Sequence, residues 1–266
     1  GRWDEALTMI ADDPAISREE RIRKRRRQAV VETARAQIDE GREPMAALEH
    51  ALSALKLQAD FVPAALIAAR IQSNRGEVRK AMSLLRRVWR ATSHPHLATL
   101  YANAQPGVSS VDRLKRVREL IDLPPANRPA AIVLARAAVD AYDWATARGA
   151  LDAFVGNEPT QAVCLLMAEI EEGQNADQGK AREWLSRAVR APADPVWIAD
   201  GITADEWEPV SPVTGALDAF EWRVPLSASS PRPEATSAAE TRLPAPLAPT
   251  AATSPQTSLA PATGAQ

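Results

Sequence analysis

A glycine followed five residues later by an alanine recurs along this chain at nearly even intervals, and no other feature restricts its folding so strongly. The fullest copy runs from Ala69 to Ala81, with Gly76 and Ala81 in the two fixed places. Gly1 to Ala6 and Gly41 to Ala46 keep both residues, Tyr142 to Ala147 and Ala176 to Ala181 keep the alanine, and Gly107 to Asp112 fills the remaining gap. The second place therefore falls at 6, 46, 81, 112, 147 and 181, in steps of 40, 35, 31, 35 and 34. Glycine lets the chain leave one helix through a left-handed turn, and alanine lets the next helix pack closely on the first. The implied unit is a helix, a turn and a second helix, repeated.

A period of about 34 residues per helix pair is that of a tetratricopeptide array. Pro124 and Pro159, each twelve residues beyond the second place of a unit, sit where such arrays put a proline between units. The expected fold is all-α: a tetratricopeptide-like right-handed solenoid of antiparallel helix pairs, the antiparallel arrangement following from the short connections. Ser17 and Glu20 form a capping box for a long helix ending near Glu40. Pro44 suits the first turn of the next helix, which runs to Leu57 with apolar residues at 45, 48, 52 and 55 along one side. Further helices are expected at 63–74, 77–91, 96–104, 109–121, 128–141, 144–154, 160–172 and 178–190.

Composition agrees, with 45% apolar and only 5% aromatic residues and few β-branched side chains. The array is expected over residues 1–191, its first unit truncated, since Gly1 to Ala6 reads as the turn and second helix of a pair. From Pro192 the helical period stops, and 192–225 carries Trp197, Trp207 and Trp222 among prolines and glycines. It reads as a short irregular extension that covers the last repeat, because a bare array end exposes an apolar face. Residues 226–266 are almost wholly Ala, Pro, Ser and Thr and are expected to be disordered.

Little in the chain points to catalysis. A net charge of −2 gives no sign of a nucleic-acid partner. The lone Cys164 excludes an internal disulfide and lies in an apolar run, as a buried inert thiol does. His94-Pro95-His96 reads as a surface turn between units, and His50 has no metal-ligand spacing to either. No phosphate loop or Ser/His/Asp arrangement is found, so the expectation is a protein that is not an enzyme and needs no cofactor or metal. The dense positive run from Arg18 to Arg27 reads either as a solvated helix face or as a surface for an acidic partner or anionic lipid.

The repeat frame supplies candidate binding residues. Six places before each turn position lie Arg35, Arg70, Tyr101 and Arg136, with Glu169 the nearest equivalent in the last unit. In tetratricopeptide geometry such residues come from the inner helix and face a concave groove. Three guanidinium groups there would clamp carboxylates in bidentate fashion, or pair with acids on neighbouring helices.

The stretches Asp194 to Gly201 and Trp207 to Trp222 resemble the C-terminal end of alphaproteobacterial HemY proteins, tetratricopeptide proteins associated with haem biosynthesis. The resemblance covers about residues 1–225. It implies a parent with two membrane helices upstream of this sequence and a repeat domain on the cytoplasmic face of the inner membrane. It also implies a scaffold for haem-pathway enzymes, with a porphyrin- or haem-binding carrier and an envelope assembly factor as alternatives. Ser211-Pro212-Val213-Thr214-Gly215 looks like a Cys-Pro-x-Cys-Gly metal knuckle whose thiols are replaced, and hydroxyls are poor ligands for zinc or iron.

Overall fold

The computed structural model describes residues 2–14, 17–122, 125–156 and 158–225. Every described residue falls in one compact unit. The expectations for Pro124 and for the 226–266 tail lie outside the described residues. Among the described residues the chain is mainly helical: α1 (Trp3–Asp12), α2 (Arg18–Asp39), α3 (Pro44–Leu57), α4 (Val62–Asn74), α5 (Val78–Thr92) and α6 (Pro95–Ala102), followed by α7 (Ser110–Leu120), α8 (Arg128–Asp140), α9 (Trp144–Val155), α10 (Gln161–Asn175) and α11 (Gln178–Ala188).

Local chemistry explains where these helices begin. The Ser17–Glu20 capping box forms in both directions and starts α2. Proline stands in the first turn of α3, α4, α6 and α8, where its missing N–H costs no hydrogen bond. Ser109, Asn127, Asp143 and Asp177 cap α7, α8, α9 and α11 through their side-chain oxygens.

The turns between helices follow the repeat frame. Gly76, Gly107, Tyr142 and Ala176 all adopt left-handed backbone, at φ of 79°, 74°, 58° and 51°. After Gly76 and Tyr142 the next amide bonds back five residues, Glu77 N to Gln72 O and Asp143 N to Ala138 O, which satisfies carbonyls the helix end leaves over. Gly41 departs from the expectation and is not left-handed. The α2 end closes instead through bonds from Arg42 N and Glu43 N to Asp39 O.

Each helix packs on the next in sequence, and alternate helices α2, α4, α6, α8 and α10 also touch in order, forming a continuous row. Small residues make the close approach possible: Ala47, Ala51 and Ala54 of α3 and Ala64, Ala65, Ala68 and Ala69 of α4 are fully buried. Leu85, Leu97, Leu134, Leu151 and Ile170 fill the spaces between, each contributing about 1.5–3 kcal/mol by leaving water.

The C-terminal segment differs from the sequence expectation in two ways. It is not irregular, since β1 (Val196–Ala199), β2 (Ile202–Ala204) and β3 (Glu221–Arg223) form an antiparallel sheet in the order β2-β1-β3. Nor does it simply cover the last repeat. It leaves from α10, where Pro192 O accepts from Gln161 N and Asp194 Oδ2 from Ala162 N, and returns across the beginning of the array. Trp197 and Trp222 pack on His94 at the start of α6, and Trp207 meets Phe61 at the start of α4 edge to face at 5.2 Å. Asp218 accepts a two-armed hydrogen bond from Arg26 of α2, both at 2.8 Å. The apolar surface that needed covering lay along the side of the array, at Phe61 and His94, more than at its end.

Candidate interaction grooves on the alternate-helix row

Two adjoining depressions lie along the row formed by the even-numbered helices. The first, of about 440 Å³, is floored by Pro63, Leu66 and Leu100 and walled by Trp197, Trp207, Asp205 and Glu206 of the C-terminal segment. The second, of about 290 Å³, runs between α6, α8 and α10 over Ala98, Ala102, Val133, Leu165 and Leu166. Thr99 and Asn103 of α6 line both, so the two adjoin at these residues.

Arg70 lines the first groove and Arg136 the second. Both are already engaged. Arg70 donates to both oxygens of Glu40 at 2.8 and 2.9 Å, and Arg136 to both oxygens of Glu169 at 2.6 and 2.8 Å. Those bonds raise both guanidinium pKa values, with Glu206 adding to the field at Arg70 and Asp140 at Arg136. Each pair ties one helix of the row to the next, the α2 end to α4 and α8 to α10. Arg35 lines neither groove and pairs at 3.0 Å with Asp4 of α1.

Tyr101 corrects the sequence reading. It is fully buried at 0% exposure, with its hydroxyl hydrogen-bonded by Arg86, so it presents nothing to a partner. The reason is one of register. Arg35, Arg70 and Arg136 each lie four residues before the last residue of their helix, Asp39, Asn74 or Asp140, whereas α6 ends at Ala102, well short of Gly107. Counted from the helix end, the equivalent position in α6 is Ala98, which lines the second groove.

His94 is a second correction. It is 3% exposed and is not on a surface turn. Its ring accepts from His96 N at 3.3 Å as the cap of α6, and its centroid lies 4.1 Å from that of Trp222. Burial, with His96 adding to the effect, pushes its pKa down to about 3, so the ring is neutral near pH 7. His96 is lowered too, by burial, against the opposing pull of Glu206 and Asp205. His50 pairs with Glu32 at 2.7 Å. Cys164 is fully buried, and burial raises its thiol pKa.

The basic run is divided in its use. Arg26 holds Asp218 and lies 4.3 Å above the Phe61 ring, and Lys24 caps the end of α1 by donating to Ala11 O and Asp13 O at 2.7 Å. Arg18, Arg23, Arg25 and Arg27 are exposed. In the 211–215 turn, Ser211 Oγ accepts from Val213 N and Thr214 N, and Thr214 Oγ1 donates to Asp200 Oδ2 at 2.7 Å. Hydrogen bonds from Ser211 and Thr214 hold the Asp200 carboxyl below its usual range and clip this turn to the β1–β2 connection.

Sequence reasoning missed Glu40 as the partner of Arg70, and Asp205, Glu206 and Trp207 as groove components. A signal for the first was present, since Glu40 precedes Arg70 by 30 residues and Glu169 follows Arg136 by 33, each close to one repeat. Asp205 and Glu206 carry no such signal, because their place depends on how the C-terminal segment folds back.

These features define a largely helical protein with a row of alternate helices and a sheet-bearing segment laid beside it. No family model matches the chain. It is 26% identical over 186 residues to a probable magnetosome protein, Mms48, of Magnetospirillum gryphiswaldense. The match covers 68% of this chain and 41% of that protein, so the chain spans well under half of its relative's length.

Proposed function

We propose that this chain is a tetratricopeptide-like right-handed solenoid serving as a non-catalytic protein-interaction scaffold, with its even-numbered helices forming a concave side that holds an extended segment of a partner protein. The observation that carries the reading is that Arg70 and Arg136, in matching positions of α4 and α8, line two adjoining grooves on one helix row. Their side chains stay 41% and 47% exposed. A guanidinium has five N–H groups, and a paired carboxylate takes two, so donors remain for a partner. Among the described residues no helix is long and apolar enough to cross a membrane. The resemblance to HemY proteins supports a parent held at the inner membrane, with this domain on the cytoplasmic face and haem-biosynthesis enzymes as partners.

The test is recovery of partners with the membrane-bound parent, comparing wild type with a variant carrying Arg35→Ala, Arg70→Ala and Arg136→Ala. Loss of specific partners from the variant is expected, and equal recovery of every partner removes the groove reading. The likeness to a probable magnetosome protein favours a second reading, in which the chain serves a magnetosome-type setting and not haem biosynthesis. The identity of the proteins recovered with wild type separates the two.

A further inference from the structure

The first groove carries two carboxylates without a partner among the described residues. Arg70, its one arginine, is already neutralised by Glu40. Asp205 and Glu206 on the opposite wall are exposed and form no salt bridge or hydrogen bond among the described residues. Gln37 donates one amide N–H to Trp207 O and Asn103 one to Thr99 O, and each side chain keeps its oxygen and a second N–H. The floor is apolar, and Trp197 and Trp207 add two aromatic walls. Trp207 itself is 4% exposed, its ring held edge to face against Phe61.

We propose that this groove binds an extended peptide segment bearing arginine or lysine, its cationic side chain set between Asp205 and Glu206 and its stem against the tryptophan walls. This rests on the scaffold reading and adds the sign of the partner, which is basic where the arginine spacing alone suggested an acidic one. A guanidinium brings donors to the two carboxylates that have no partner, and its flat face suits the tryptophan walls. The second groove adjoins the first at Thr99 and Asn103, and the two together reach along α4, α6, α8 and α10, a length that an extended chain spans and a compact amine does not. Apolar side chains of the same segment would lie over Val133, Leu165 and Leu166.

The experiment uses the full chain and three pools of fluorescein-labelled, end-blocked nonapeptides. The pools carry Arg, Glu or Gln at three alternate positions and mixed Ala, Leu, Val and Ser elsewhere, and binding is read by anisotropy at low salt. The Arg pool should bind at least about tenfold more tightly than the Gln pool. Asp205→Asn with Glu206→Gln should lower that binding about tenfold, with the circular dichroism spectrum unchanged. Equal binding of the Arg and Gln pools, no binding by any pool, or indifference to the double variant overturns the proposal. Preference for the Glu pool, lost with Arg70→Ala and Arg136→Ala, overturns it while sustaining the scaffold reading. Displacement of the Arg pool by free arginine amide at concentrations equal to the peptide's own affinity also overturns it, because the site would then take an amine alone.

Discussion

A histidine that looks like part of an exposed turn is buried among aromatic rings, at 3% exposure. His94 is enclosed by Trp197, Trp222 and His96, and its folded pKa of about 3 lies far below the ordinary value of 6.5. Protons therefore bind the unfolded chain first. Its contribution to stability is complete above about pH 6.5 and is lost as the pH falls toward 3. Between pH 7 and pH 5 this linkage removes about 2 kcal/mol of unfolding free energy. Urea titrations at the two pH values should show that loss in wild type and a much smaller one in His94→Asn. An equal loss in both would show that the pH response arises elsewhere. Tyr142 and Ala176 teach a related lesson, since a left-handed turn is kept at both positions without glycine. The bonds from Asp143 N to Ala138 O and from Asp177 N to Glu171 O secure those helix ends and offset the backbone cost.

Among elements, the C-terminal segment has the largest effect on what the helices present. Trp207 alone joins three parts of the structure: its ring meets Phe61, its carbonyl accepts from Gln37 of α2, and it walls the first groove. Trp207→Ala should cost about 3–5 kcal/mol, in the range for removing a large buried aromatic side chain. The check is chemical unfolding followed by far-ultraviolet circular dichroism. A loss below about 1 kcal/mol would mean that the segment lies on the array without stabilising it. The same variant should weaken the Arg-pool binding described above, because it removes an aromatic wall of the groove.

At the scale of the whole molecule, a stack in which each repeat touches only its neighbours unfolds as a chain of locally coupled units. Here a single segment bonds to α10 at Gln161 and Ala162, to α6 at His94, to α4 at Phe61 and to α2 at Arg26. It links helices far apart in the stack and should make them unfold together. A chain ending at residue 191 should lose stability and show a broader urea transition, with unfolding beginning at the α1–α2 end. An equally sharp transition in the truncated chain would show that neighbour contacts alone supply the cooperativity.

The helices, their starts and most of their turns were legible in the sequence because they depend on local chemistry. Capping by Ser17 and Glu20, prolines in first turns, and an alanine at each close approach act within a few residues of themselves. The bidentate pairs Arg70–Glu40 and Arg136–Glu169 were half legible: the arginines stood out by their spacing, while their partners needed the stacking of one repeat on the next. Tyr101, His94 and the acidic wall of the first groove were not legible at all. A fixed offset from a turn fails when a helix ends early, and burial by a segment 100 residues downstream leaves no trace in local pattern. The sequence by itself determined the repeating helices, since each is a short-range problem; only the tertiary structure decided which side chains face the grooves and with what charge, since that depends on where the C-terminal segment comes to rest.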